Sequence, residues 1–340
     1  MGESRALPKF LRAVDWRDAR EAAEALGLMR QWGPIDCFDA LELLSGEYPN
    51  VDVRAFAVAR IAETEEEELA ILMPQLVQAL RFDGGTSQAQ QQDEAVLGRL
   101  GTGLSSMESG RASVEMDSDR TVTPASGSSP EPVSALEARL ASGAQASASG
   151  SASTGRAAAP APGGPLERLL LDRSCTSVRA ASLLHWHLTA LWEDPRDGPR
   201  YVAVHSRFYE RLQEQHPRVL DAIRRQRELV AVLSRIAADI KGMRATADRR
   251  TDRLRGLIGP GGPFEELTTL RAPLPTDPAY QVVGVVVEEC SVFKSAMVPL
   301  RITFRLESGT QTSIYKQGDD LRQAGADSRG GWPTAGLALS

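Results

Sequence analysis

The stretch that decides the fold is Val51–Phe82, VDVRAFAVARIAETEEEELAILMPQLVQALRF. Val53, Phe56, Ala57 and Ile61 recur at helical three-and-four spacing, and the aliphatic stem of Arg60 extends the same stripe. Glu65 to Glu68 then load acid into the first turn of a second helix, where negative charge complements unpaired amide groups; this pattern runs to Phe82. Pro74 lies inside it and predicts a kink or restart, because proline lacks an amide proton and crowds the preceding turn.

On the N-terminal side, helical spacing begins at Leu7 and is broken at Gly33-Pro34 and again at Tyr48-Pro49-Asn50. Short amphipathic helices with brief connectors bury their stripes by stacking, so residues 1–83 read as the first part of an α-solenoid. On the C-terminal side, residues 84–165 turn to Gly, Ser, Ala, Gln and Pro, including Ser147–Ser153 and Ala157–Pro165. Such a segment cannot bury enough apolar surface to offset the entropy of ordering, and is read as a disordered low-complexity insertion.

Helical periodicity resumes at Leu166. Thr176 or Ser177 can cap a helix whose Leu183, Leu184, His187, Leu188 and Leu191 share a face, making residues 166–196 the second part of the solenoid. Phe56, Val58, Leu184, Trp186 and Leu188 are expected to be packing residues or interface anchors rather than chemical groups. A long helical pattern from Pro217 to Ile258 carries Leu229, Leu233, Ile236, Ile240 and Met243 on one side and many arginines elsewhere, read as a solvated face rather than a lipid-facing patch. Residues 197–271 thus lead out of the solenoid. After Pro273 and Pro275 the period changes to that of a sheet: Tyr280–Val287, then alternating Ile302, Phe304 and Leu306, then Gln311–Lys316 beyond the Ser308-Gly309 turn. Residues 272–323 begin an antiparallel sheet, and residues 324–340 predict no element. The fold class is mostly α, an α-solenoid of stacked helical pairs with an insertion, followed by a truncated antiparallel sheet.

Composition excludes several functions. The net charge of −6 argues against a broad nucleic-acid surface, which needs a basic face. Cys37, Cys175 and Cys290 are too widely spaced for a disulfide framework or metal clip, which fits a reducing, cytoplasmic setting. No apolar run approaches the roughly 18–20 residues of a membrane span, so membrane contact would be peripheral; the opening Met-Gly lacks a myristoylation signal because Ala6 stands where Ser or Thr is needed. Neither a GxxxxGK[ST] loop nor a GxGxxG fingerprint occurs, and no Ser-His-Asp set can be assembled. His185 and His187 are two apart, which on a helix points them to different faces, so no metal ligands are assigned.

The stretch with chemical content is Ser291–Gln323. Two strands flank Phe293-Lys294-Ser295-Ala296-Met297, and a third delivers Lys316 just before Gly318-Asp319-Asp320-Leu321-Arg322-Gln323. A hairpin of amides and a hydroxyl beside a strand lysine suits phosphoryl transfer, but a surface hairpin with an ordinary lysine has the same pattern, so spacing leaves both readings open. Composition adds weight to the first: of 39 basic residues only Lys9, Lys241, Lys294 and Lys316 are lysine, and two fall here.

These segments resemble a known family. Leu7-Pro8-Lys9-Phe10-Leu11, Tyr48-Pro49 with Val53–Val58, and Gln75–Leu80 are similar to the helical domain of phosphatidylinositol 3-kinases; Val292–Ala296, Pro299 and Tyr315–Gln323 are similar to that family's phosphate loop and lysine strand. The FKSA loop and the insertion after LVQAL resemble the class III, vacuolar-sorting type. The resemblance implies transfer of the γ-phosphate of ATP to the 3-hydroxyl of phosphatidylinositol, with magnesium, in endosomal sorting and autophagy. It implies a protein-kinase-like regulatory subunit, a Beclin-type subunit and peripheral attachment to endosomal or autophagic membranes. Carried over by position, it implies ATP-binding roles for Lys294, Ser295, Ala296 and Lys316, and capping or orienting roles for Asp319 and Asp320. The pattern departs after Gln323: Ala324 stands where the family has another aspartate, and no DRH-type catalytic loop or DFG-type metal aspartate follows. The expectation is a truncated form holding the start of the kinase N-lobe, with no catalytic residues of its own, no tightly bound ATP and no turnover alone. The alternative expectation is a noncatalytic α-solenoid scaffold; a related protein kinase, with a longer repeat array, is a weaker match.

Overall fold

The computed structural model describes residues 6–83 and 163–317 and the backbone of residues 335–339. The disorder expected of the insertion falls on residues outside those described, apart from 163–165. The first helices are α1 (Leu7–Arg12), α2 (Ala19–Gln31), α3 (Cys37–Glu42), α4 (Val51–Ala62) and α5 (Glu66–Ala79). Asp18, Asp36 and Asn50 cap α2, α3 and α4 by accepting from amides of the first turn, which would otherwise lack partners. Helix α5 has no side-chain cap and carries Glu66, Glu67 and Glu68 in its first turn instead. It also continues through Pro74 as one helix, so the expected restart does not occur. Proline removes a single amide donor, while Leu72, Met73, Leu76 and Val77 around it are buried and hold the flanking turns.

Beyond the insertion come α6 (Pro165–Thr176), α7 (Val178–Ala190), α8 (Gly198–Gln215), α9 (Pro217–Gly242) and α10 (Ala247–Ile258). Helices α5, α6 and α8 pack on α7, and α4 and α8 pack on α6, which gives the stacked helical layer. Across the insertion, the buried Asp83 carboxylate accepts from the amides of Leu166 (3.1 Å) and Glu167 (2.8 Å) and so caps α6 from the far side of the gap. Ser177, not Thr176, caps α7 through the Ala180 amide. Of the packing residues expected, Val58, Leu184 and Leu188 are buried, whereas Phe56 and Trp186 are partly buried. The buried stripe of α7 is Ala181, Leu184, His185 and Leu188; Leu183, His187 and Leu191 are only partly covered. The face is therefore rotated from the expected one, because His185 finds a buried partner that local spacing does not reveal.

The pattern expected as one helix from Pro217 to Ile258 is divided. Helix α9 ends at Gly242, Met243 is extended, and α10 starts after an extended Thr246. Glycine is a weak helix former, and reversing the chain lets Leu254, Leu257 and Ile258 join the core of Leu229, Leu233, Ile236 and Ile240. Arg250 donates to the Met243 carbonyl (2.6 Å) and Arg253 pairs with Asp239 (2.9 Å) to fasten the reversal. Some arginines expected on a solvated face are thus structural staples.

The sheet contains β1 (Ala272–Leu274), β2 (Asp277–Val285), β3 (Ser291–Val292), β4 (Leu300–Leu306), β5 (Gly309–Gln317) and β6 (Ala335–Leu339). All pairs are antiparallel, in the order β1-β2-β4-β5-β6, with β3 also on β4. Gly309, with φ 127°, makes the tight β4–β5 turn. One face packs on α9: Leu274, Val282, Leu300, Ile302, Phe304 and Tyr315 share its core. Strand β6 corrects the expectation that the last residues form no element. The β5 edge offers unpaired amides and carbonyls, and pairing from Ser313↔Leu339 to Gln317↔Ala335 satisfies them without any strong local signal in the added strand.

Candidate nucleotide-binding wall

Helix α10 fixes the start of the hairpin. The Thr251 hydroxyl accepts from the Val292 amide (3.0 Å), and the Arg255 guanidinium donates to the Cys290 carbonyl (3.0 Å). Strand β3 then pairs with β4 through Ser291↔Arg301 and Val292↔Leu300. The intervening loop is closed by Phe293 N–H donating to the Pro299 carbonyl (3.0 Å), with an inner turn from Val298 N–H to the Ser295 carbonyl (3.1 Å). Ser295 N–H donates to the Phe293 carbonyl (2.9 Å), while among the described residues the amides of Lys294, Ala296 and Met297 donate to no backbone or side-chain acceptor.

Val298 has φ 51°, the left-handed region that a β-branched residue rarely occupies, and it also precedes a proline, which favours extended backbone. Its side chain is nonetheless buried, so packing holds the strained turn in place. Lys294, Ser295 and Ala296 stand exposed on the loop.

Lys316 reaches the same neighbourhood by strand register. Leu300 pairs with Tyr315, so the next step along β5 sets Lys316 level with Pro299, the closing residue of the loop. Tyr315 is fully buried toward α9 and Lys316, one residue on, is partly buried on the other face. Asp319 and Asp320 lie outside the described residues. A groove of about 300 Å3 lies elsewhere, between α9 and the β1–β2 hairpin; Arg225 pairs there with Asp221 and Arg271 with Glu307, and no predicted site residue lines it.

Of the two histidines set aside in sequence, His185 joins a structural cluster. His185 Nδ1 and His205 Nε2 are 2.9 Å apart, with the Tyr209 hydroxyl 3.3 Å from the same Nδ1. Burial lowers the pKa of both imidazoles, to about 3 for His205, so the pair is neutral and one ring donates to the other. Burial pushes the His187 imidazole down to about 4. Among the described residues no group of three or more His, Cys, Asp or Glu could hold a metal ion, and no helix is long and apolar enough to cross a membrane. Sequence reading missed His205, Tyr209 and the buried Glu167–Arg207 pair; their partners lie on other helices, beyond any local period.

Comparison with known proteins decides the family. Residues 1–221 match the phosphoinositide 3-kinase family accessory domain, the PIK domain. The chain belongs to the phosphoinositide 3-kinase family. It is similar to phosphatidylinositol 3-kinase VPS34 of Arabidopsis thaliana, 30% identical over 95% of this chain and 32% of that protein. It is also similar to phosphatidylinositol 3-kinase pik3 of Schizosaccharomyces pombe, at 28% over 94% of this chain and 32% of that protein. VPS34 of Saccharomyces cerevisiae is 27% identical over 95% of this chain and 34% of its own length. The chain thus spans about a third of the length of these relatives. For this family member, the helices described within residues 6–83 and 163–221 fall in the matched range, and the loop and lysine strand follow it.

Proposed function

We propose that this family member supplies the helical domain and the first nucleotide-facing wall of a class III-type phosphatidylinositol 3-kinase, which phosphorylates the 3-hydroxyl of phosphatidylinositol. The observation that carries the reading is the Leu300↔Tyr315 register, which sets the strand bearing Lys316 alongside a loop with exposed Lys294, Ser295 and Ala296. Unengaged amides, a hydroxyl and ammonium groups are the donors that a row of phosphates needs, so the residues fit one side of ATP. Bound ATP supplies the phosphoryl group. Lys316 and the Ser295 hydroxyl hold and orient its phosphates, and the loop amides fix their direction.

On this reading the helical layer is the platform for a regulatory kinase-like subunit and a Beclin-type subunit, and attachment to endosomal or autophagic membranes is peripheral. A polypeptide of these 340 residues has one wall of a cleft, leaves a triphosphate largely in water, and does not turn over alone. The test is calorimetric titration of magnesium-ATP together with a lipid kinase assay, on the 340-residue chain and on a chain continued in frame with the rest of a relative's kinase domain. Activity confined to the continued chain is the expected result. Turnover by the short chain would show that the catalytic groups are misplaced, and inactivity of the continued chain with its partner subunits would favour a scaffold.

A further inference from the structure

The strand that carries Lys316 is tied to α9 by a directed chain of hydroxyl groups. Ser234 Oγ lies 2.9 Å from the Val230 carbonyl and 2.6 Å from the Tyr315 hydroxyl. The serine has one proton, and a carbonyl can only accept, so the proton goes to Val230. Tyr315 must then donate to Ser234. Burial raises the phenol above its ordinary pKa, which keeps it protonated and able to donate. The chain therefore runs Tyr315 O–H to Ser234 O–H to Val230 carbonyl, with one polarity.

Its location gives it a consequence. Helix α9 spans Pro217–Gly242 and forms the base of the core, so it is a rigid reference for the sheet. Apolar packing alone fixes β5 against α9 only loosely along the strand, because dispersion has little directionality. A hydrogen bond at 2.6 Å fixes both height and rotation of Tyr315. Lys316 is the adjacent residue on the opposite face, and the backbone between them transmits that setting. The same Tyr315 pairs with Leu300 at the closing end of the loop. One clasp thus references the lysine and the loop to a single helix.

We infer that Ser234 and Tyr315 are positioning residues for Lys316, a role that rests on the reading of Lys316 as a phosphate-binding group. Their hydroxyl chain sets where the ammonium stands, without either residue touching the nucleotide.

The scarcity of lysine makes this directly readable. Lys9, Lys241, Lys294 and Lys316 are the only lysines of the chain; Lys9 is exposed and remote in sequence from the clasp, whereas Lys241, also exposed, lies on α9 with Ser234. The experiment is lysine acetylation followed by mass spectrometry on the full 340-residue chain, expressing the Lys316 rate relative to Lys9. Tyr315→Phe and Ser234→Ala should each raise the relative Lys316 rate by about 2- to 10-fold, the factor that losing one net hydrogen bond allows. Their combination should add little more, since either change breaks the same chain. Ser234→Thr keeps the hydroxyl and should retain the original rate. An unchanged relative rate in both single variants, with only the melting temperature lowered, would reduce the clasp to a structural bond and overturn the inference. A Ser234→Thr protein that behaves as Ser234→Ala would overturn it too. Magnesium tripolyphosphate tests the phosphate reading separately. Protection of Lys316 in the unaltered chain, weakened in Tyr315→Phe, supports both; no protection, with the rate changes intact, upholds the positioning and overturns the phosphate role.

Discussion

In the helical layer, the Glu167 side chain is 1% exposed and Arg207 is 10% exposed, and the guanidinium meets the carboxylate through two bonds of 2.6 and 3.0 Å. In the hairpin end, Lys294, Ser295 and Ala296 stand in the open on a loop whose amides are only partly engaged. The helical region turns its polar groups toward one another: Asp83 toward two amides, His185 toward His205, and Trp186 toward Gln226. The hairpin turns its own outward. Polar groups with mutual partners hold a fold together; on the reading proposed above, the hairpin's outward groups are those left for a nucleotide, and the difference is one between framework and proposed site.

The largest test of the comparison falls on the buried ion pair. Arg207→Ala leaves the Glu167 carboxylate inside the helical layer without its main partner, and should lower the unfolding free energy by about 3–5 kcal/mol. Urea denaturation measures this. Exchanging both residues, Glu167→Met with Arg207→Leu, should recover most of the loss, because an apolar pair of similar volume carries no desolvation cost. A single-variant loss below about 1 kcal/mol would mean that water reaches the pair, and that the framework is less sealed than its geometry indicates.

A smaller effect is expected from acid. His185 and His205 have folded pKa values below the ordinary 6.5, with His205 at about 3, so the unfolded chain binds more protons than the folded one below that ordinary value. Their contribution to stability is complete above the unfolded pKa and is lost as pH falls toward the folded value. Two such groups should remove about 2 kcal/mol between pH 6.5 and 5.5. Urea midpoints across that range measure the slope, and a His185→Asn/His205→Gln protein should show a flatter one. An equal slope would show that the pair is open to solvent and protonated in place.

Next in size is Asp83→Asn. The amide keeps one acceptor for the two α6 amides and loses the charge, so a loss of about 1–2 kcal/mol is expected from thermal or urea unfolding. No change would indicate that the start of α6 is held by packing rather than by its cap.

Much of the framework was legible because helical packing leaves a local trace. Leu229, Leu233, Ile236 and Ile240 share a stripe in sequence and are all buried; Asn50 follows Tyr48-Pro49 and caps the next helix. What escaped was pairing across distance. His185 and His205 are 20 residues apart, Glu167 and Arg207 are 40 apart, and Asp83 and Leu166 are 83 apart. No window of one helix contains either partner's environment. The hairpin, its loop and the lysine strand were legible from period-two spacing and resemblance, while the Ser234–Tyr315 tie and the backbone of Val298 depend on packing between elements.

That backbone supplies the finest test, because it asks what holds an outward-facing loop in shape. Val298 is 6% exposed with φ 51°. Removing its side chain forfeits burial worth about 1.5–2 kcal/mol, while glycine relieves a left-handed strain of about 1–2 kcal/mol, so Val298→Gly should be nearly neutral. Val298→Ala loses nearly the same burial and keeps most of the strain. At an ordinary position alanine is the more stable of the two by about 0.5–1 kcal/mol, because glycine has more freedom to lose on folding. Here the order should reverse, with the glycine variant the more stable by about 1 kcal/mol. Urea unfolding of the two variants side by side gives the sign directly. The ordinary order would mean that the chain relaxes out of the left-handed region once the valine is gone, and that the side chain's packing, rather than the turn itself, forces the backbone there. The reversed order would mean that the turn persists without it, held by the Phe293–Pro299 and Ser295–Val298 bonds, so that the exposed loop has a framework of its own.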